Sequence, residues 1–281
     1  YATGSRQRPV YARVAPPSGK LGRCITLASG AIRPSDLWYV GNRPMIAYRQ
    51  ASDDHTRLRE RRIDGGGARV IATVPRDGVV VLDTASNGTQ AALWTGNGAP
   101  EKQPLVTAVR RAGGTFGKGH LLDNRIPPQV MAVAVARSGA AVVAWHEWNE
   151  PTTEDGGSDT PEYTPGRIIT SFRQAGRPFS ALQSFRPDPE NASIESLSAD
   201  VESDGLAALA WNATRFQGIQ RRLYTATINN GDPPEVTPMT DFDNLGFRLD
   251  AVHVDERQRT VFGWIDETKV LAQRGRWAVS P

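Results

Sequence analysis

Read for polarity alone, the chain repeats one phrase: an apolar run, a short polar turn with a glycine, a second apolar run, and an aromatic residue. Three copies hold glycine six positions ahead of tryptophan: GTQAALW at 88–94, GAAVVAW at 139–145 and GLAALAW at 205–211. The series extends to RTVFGWID with Trp264 and, with tyrosine in the aromatic place, to RPMIAYRQ with Tyr48, at intervals of 46, 51, 66 and 53 residues. A recurring spacing near this length marks a duplicated supersecondary unit that buries its apolar faces against its neighbours.

Each aromatic run follows another apolar run (DLWYV, GVVVLD, QVMAVAVA, SLSADV, LDAVHV), joined by a turn such as TASNG, ARSG, ESDG or DERQ. Short β-favouring runs joined by Gly, Asn and Asp read as hairpins. A third strand is predicted in PLVTAVRRAGGTF at 104–116, RIITSFRQAGRPF at 167–179 and RRLYTATINNG at 221–231. Thr107, Arg110, Ala112, Gly113 and Phe116 recur at the same offsets as Thr170, Arg173, Ala175, Gly176 and Phe179. A short fourth strand follows, FGKGHLL or FSALQSF.

Four strands per unit predict the blade of a β-propeller. The expected fold is all-β, a β-propeller with five recognisable four-stranded blades at about 35–76, 77–125, 126–188, 189–240 and 241–281. An N-terminal half-blade or strap is expected at 1–34, for a five- or six-bladed ring in one domain. The small residues Ala91, Ala92, Ala141, Ala144, Ala207 and Ala208 are expected to let sheets approach, with the aromatic markers filling the wider gaps. The N-terminal stretch RPVYARVAPPSGKLGRCITLAS reads as the third and fourth strands of a unit without the first two. Such a segment closes a ring, straps the last blade, or offers its edge to another subunit.

The pattern G-x-x-x-x-x-W followed by R-x-A-G-x-x-F resembles the repeats of secreted bacterial β-propeller proteins, particularly of high-GC actinobacteria, of loosely sialidase-like or WD40-like kind. The resemblance covers residues from about 35 to 281 and implies an exported propeller at the cell surface or outside the cell. It carries no activity. Asp boxes of the form S-x-D-x-G-x-x-W are not intact: SDGLAALAW at 203–211 has a different spacing.

Composition narrows the partners. With 39% hydrophobic and 22% charged residues, a chain of 281 residues has enough apolar content for a full core. The longest apolar candidate, VMAVAVARSGAAVVAW, is broken by Arg137 and Ser138 and falls short of the roughly 18 residues of a membrane span, so no membrane insertion is expected. The net charge of +3 rests on 29 Arg and 4 Lys dispersed along the chain, which forms no groove for a phosphate backbone, and no nucleic acid partner is expected. Cys24 is the only cysteine, so no intrachain disulfide is expected.

Candidate chemistry comes from superposing the units on their aromatic markers. The place eleven residues earlier holds Leu37, Asp83, Ala134, Asp200 and His253. If these strands line a channel, Asp83, Asp200 and His253 converge as general acid and base or as cation ligands; the competing reading is that each bonds the adjoining turn. The insertion EWNEPTTEDGGSDTPEYTPG at 147–166 offers Glu154, Asp155 and Asp159 as oxygen ligands for calcium, though without the D-x-[DN]-x-[DN]-G spacing. The same composition describes a solvated recognition loop.

The preferred function is a secreted, non-catalytic propeller acting as a binding or structural subunit, with a protein partner or self-assembly through the half-blade. The alternative is a carbohydrate-active enzyme, glycosidase or lyase, using Asp83 and Asp200 on a polysaccharide.

Overall fold

The computed structural model describes residues 10–12, 25–28, 32–40, 43–51, 55–75, 78–96, 104–123, 128, 130–147, 166–187, 193–215, 220–229, 232, 234–239, 247–254, 260–266 and 274–279. Among them all regular structure is β-strand. Two short strands, β1 (Val10–Ala12) and β2 (Ile25–Ala28), pair antiparallel as a sheet of their own. Sheet one then holds β3 (Ile32–Val40), β4 (Arg43–Ala51), β5 (His55–Arg62) and β6 (Arg69–Pro75). Sheet two holds β7 (Val80–Thr84), β8 (Gln90–Thr95), β9 (Leu105–Arg110) and β10 (His120–Asp123).

Sheet three is made of β11 (Val130–Val135), β12 (Ala141–Glu147), β13 (Arg167–Arg173) and β14 (Gln183–Phe185). Sheet four is made of β15 (Ser193–Val201), β16 (Leu206–Arg215), β17 (Gln220–Asn229) and β18 (Glu235–Pro238). Sheet five has β19 (Phe247–Val254), β20 (Thr260–Asp266) and β21 (Arg274–Val279) among the described residues. In every sheet the strands lie in chain order and antiparallel, the meander of a β-propeller blade.

The repeated glycine has a backbone cause. Gly88, Gly139 and Gly205 adopt φ of 84°, 89° and 102° in the turn between the first and second strands, a region closed to most side chains. The turn is the same in all three sheets: Ala85, Ala136 and Glu202 donate N–H to the carbonyls of Thr89, Ala140 and Leu206 at 2.8–2.9 Å. From that fixed turn, strand alternation carries the aromatic marker to the same depth in each sheet.

The chain divides into two compact units, Tyr1–Ala99 with Gln103–Asn124, and Pro100–Lys102 with Arg125–Pro281. In the first unit, Trp38, Ala47, Leu58 and Ile71 of sheet one pack on Leu82 and Ala92 of sheet two, and β3 runs beside β7. In the second, Val142, Ala144, Ile168 and Phe172 of sheet three pack on Val201, Leu209 and Trp211 of sheet four. Ala208, Ala210 and Leu223 of sheet four then meet Val252 of β19. First strands adjoin first strands, β11 beside β15 and β15 beside β19, as blades stacked face to face require.

Burial matches the composition of these strands. All six alanines singled out on the second strands are at most 1% exposed, their methyl groups taking little room between neighbouring strands and sheets. Tyr48, Trp145 and Trp211 are at most 2% exposed. Trp211 stacks on Tyr224 with ring centroids 5.8 Å apart and donates its Nε1–H to the Pro187 carbonyl at 3.1 Å. The markers among the described side chains are therefore packing residues, with each fully buried aromatic contributing roughly 1.5–3 kcal/mol.

Candidate functional site

Three first strands carry an ionisable residue at one register place. Asp83 on β7 pairs with Ala91, Asp200 on β15 with Ala208, and His253 on β19 with Val261, each partner standing three residues before its aromatic marker. Sheet three has Ala134 opposite Val142 in this row. Sheet one departs from the sequence count: Trp38, not Leu37, pairs with the corresponding Met45. The cause is a shorter hairpin, with four residues between the paired Tyr39 and Pro44 where five separate Thr84 from Gln90. A slip of one residue exchanges the faces of a strand, leaving Trp38 buried and Leu37 62% exposed.

Asp200 has the better-defined surroundings. Its neighbours Ala199 and Val201 pack toward sheet three, so Asp200 shares the opposite face with its cross-strand partner Ala208. Ala208 packs with Val252, and within the second unit this sets Asp200 on the side of β19, the strand that carries His253. The side chain of His253 lies outside the described residues. One Asp200 carboxylate oxygen accepts the Val201 N–H at 2.9 Å, a local anchor at the strand end.

Asp83 is half-buried at the matching end of β7, in the first unit. The fold thus brings the strands of Asp200 and His253 side by side and gives Asp83 the equivalent place in the other unit. Glu154, Asp155 and Asp159, the calcium candidates, lie outside the described residues. Among the described residues no three His, Cys, Asp or Glu side chains gather as a metal site.

The strongest electrostatic cluster is one that motif reading passes over. Thr56, Leu58 and Glu60 alternate along β5 toward sheet two, so Glu60 is carried into the interface at 5% exposure. There its carboxylate accepts from Arg110 of β9 and from Arg69 of β6. Arg110 also donates Nε–H to the Gln90 side-chain oxygen at 2.7 Å and Nη1–H to the Gly114 carbonyl at 2.6 Å, and its guanidinium lies 5.4 Å from the Phe116 ring centroid. Burial lowers the Arg110 pKa against the pull of Glu60, yet a guanidinium starts so high that it stays charged. Arg69 reaches across to the Gly113 carbonyl. The signal was present in the repeated R-x-A-G-x-x-F and in a glutamate at an inward strand place.

A second buried group is His146, which follows the marker Trp145 on β12 and is 1% exposed. Burial pushes its pKa down to about 4, so the ring is neutral at pH 7. Gly166 lies against the ring; a Cβ there would collide with it and stand 2.6 Å from the Glu147 carbonyl.

No protein-family model matches the chain, and no curated protein matches its sequence. Solved structures to which it is similar include carbohydrate-active enzymes. A Hadza microbial sialidase is 14% identical over 81% of this chain with a TM-score of 0.45, and the chain spans 53% of that protein's length. A polysaccharide lyase, an ulvan lyase, is 10% identical over 87% of this chain and 68% of its own, with a TM-score of 0.47. The endo-arabinase of Bacteroides thetaiotaomicron is 12% identical over 89% of this chain and 94% of its own, with a TM-score of 0.40. Likeness at this level assigns no activity, substrate or residue role to this chain.

Proposed function

We propose that this chain is a carbohydrate-active β-propeller, a glycosidase or lyase that uses acidic residues at the turn ends of its first strands: Asp200, with the strand of His253 beside it, in the second unit, and Asp83 at the equivalent place in the first. The observation that supports this reading is the repeated register: two half-buried carboxylates and an imidazole hold one place in three blades, opposite Ala91, Ala208 and Val261. Carboxyl groups are the equipment of glycoside cleavage. Export to the cell surface or beyond belongs to the same proposal.

The sialidase, lyase and endo-arabinase reactions supply the assay panel: release of sialic acid, β-elimination in a uronate polymer, and arabinan cleavage. Turnover by the wild type, with Asp83→Asn and Asp200→Asn each slowed by about 10²–10⁴ and unfolding unchanged, is the expected result. Turnover that survives both substitutions removes these residues from the chemistry.

A second reading keeps the chain as a binding or assembly subunit. It is favoured by β1 and β2, which among the described residues pair only with each other and so present edges for strand addition. A wild type inactive on the whole panel, yet self-associating in sedimentation until residues 1–31 are removed, would select it.

A further inference from the structure

Cations that lie scattered along the sequence are gathered by strand register at one end of the first unit. The hairpins β3–β4 and β5–β6 turn at the same end of sheet one, since Val40 pairs with Arg43, Met45 with Arg62 and Glu60 with Arg69. The Ile63 N–H donates to the Pro44 carbonyl at 2.9 Å, which ties the two turns together. Sheet two adds residues 111–119, between β9 and β10. Arg69 donates to the Gly113 and Gly114 carbonyls of that segment, and the Phe116 N–H donates to the Ile71 carbonyl at 3.0 Å. Both sheets belong to the first unit.

This end carries Arg43, Arg62, Arg69, Arg111 and Lys118 at its surface. Three carboxylates stand near them. Asp64 bonds Arg62 at 2.8 and 2.9 Å, and its pKa is lowered first by that bond and further by the charges of Arg62 and Arg43. Glu60 is buried against Arg110 and Arg69. Asp83 is half-buried and alternates with Leu82, which packs on sheet one, so it lies on the other face of sheet two. Arg43, Arg111 and Lys118 are exposed and have no ion pair among the described residues. The turn ends of sheets three and four, in the second unit, are mixed instead: Arg137, Arg173 and Arg177 are set among Asp200, Glu202, Asp204 and Asp232.

We propose that the turn end of the first unit is a docking surface for an acidic polysaccharide, whose carboxylate or sulfate groups meet Arg43, Arg111 and Lys118. A concentration of one sign of charge attracts a polymer of the other sign, and the polymer releases its condensed counterions on binding. Four of the five surface cations are arginines, whose planar donors match the two oxygens of a carboxylate or sulfate. Single-stranded nucleic acid is held by stacking on aromatic faces as well as by charge. Phe116, the aromatic ring of segment 111–119, already has the Arg110 guanidinium over it at 5.4 Å. The choice of a saccharide rests on the reading of the chain as carbohydrate-active; the surface itself stands whether or not an aspartate cleaves a bond.

The test is binding of the full chain to immobilised dextran sulfate, polygalacturonate, a DNA duplex and, as a neutral control, dextran, over a series of sodium chloride concentrations. Saturable binding to at least one acidic polysaccharide and none to dextran is expected, weakening as salt rises. The polymer that binds distinguishes sulfate from carboxylate. The triple variant Arg43→Gln, Arg111→Gln, Lys118→Gln is expected to keep the thermal unfolding transition and to lower affinity about tenfold or more. Arg137→Gln, Arg177→Gln, Arg186→Gln removes the same charge from exposed places of the second unit and is expected to change affinity less than about twofold. Equal losses in the two triple variants, which would mark net charge rather than a surface, overturn the proposal. So does failure to bind either acidic polysaccharide, or tighter binding to the DNA duplex at the same salt. Binding that holds in a chain inactive on every glycan assayed removes the proposed activity and leaves the surface.

Discussion

Replacing Glu60 by threonine, the residue at that place in the other three sheets, is predicted to be among the most damaging single changes in the first unit. It removes the carboxylate and leaves the Arg110 guanidinium, 4% exposed, in the interface between sheets one and two. Breaking a buried pair by deleting one partner typically costs 3–5 kcal/mol. The cost here is expected near about 3 kcal/mol, because Gln90 and Gly114 still accept from Arg110.

Arg110→Ile alone is expected to cost about 2 kcal/mol. Glu60 then keeps Arg69, whose side chain is 43% exposed and so adds less. The double variant recreates the combination of Thr170 in sheet three and Ile228 in sheet four, and leaves Gln90 without Arg110 and the part-exposed Arg69 without Glu60, so its cost is expected at about 1 kcal/mol. The coupling energy is then about 4 kcal/mol, far above the ~0.5 kcal/mol within which independent sites add. Urea unfolding of the four proteins, followed by tryptophan fluorescence and circular dichroism at two salt concentrations, measures it. Additive single costs, or a Glu60→Thr cost below about 1 kcal/mol, would refute the claim that this pair clamps the sheets.

Two further outcomes follow from the packing. His146 has a folded pKa of about 4 against 6.5 unfolded, so below pH 6.5 the unfolded chain binds the proton that the folded chain refuses. Its contribution is complete above pH 6.5 and falls by about 3 kcal/mol as pH drops to 4; denaturation curves from pH 7.5 to 4 should show this loss, and His146→Phe should flatten it. Trp211→Ala, which empties a 0% exposed place between Phe185 and Tyr224, should cost about 3–5 kcal/mol, and Trp211→Phe, which loses the Pro187 bond but keeps a ring, markedly less. Chemical denaturation reads both.

How much was legible beforehand depends on the kind of interaction. Glycine six places before tryptophan encodes a positive-φ turn and a fixed number of alternations, both local, and the hairpins of sheets two to four followed from them. Sheet one shows the limit of counting: a hairpin one residue shorter moved Trp38 into the row reserved for Leu37. The candidate aspartates were found because they recur in register with the markers, and the calcium loop rested on composition alone.

What the sequence by itself determined is the alternation, the turns and hence the four-stranded meander, because each depends on residues within a few places of one another. What only the tertiary structure decided is which charges meet. Glu60 and Arg110 are fifty residues apart in the chain and join because two sheets stack face to face, while the Nε of Arg173, in the same R-x-A-G-x-x-F sequence, has no hydrogen-bond partner among the described residues. Whether a buried charge such as Arg110 is paired is settled by the sheet that stacks on it, and no repeat in its own strand records that sheet.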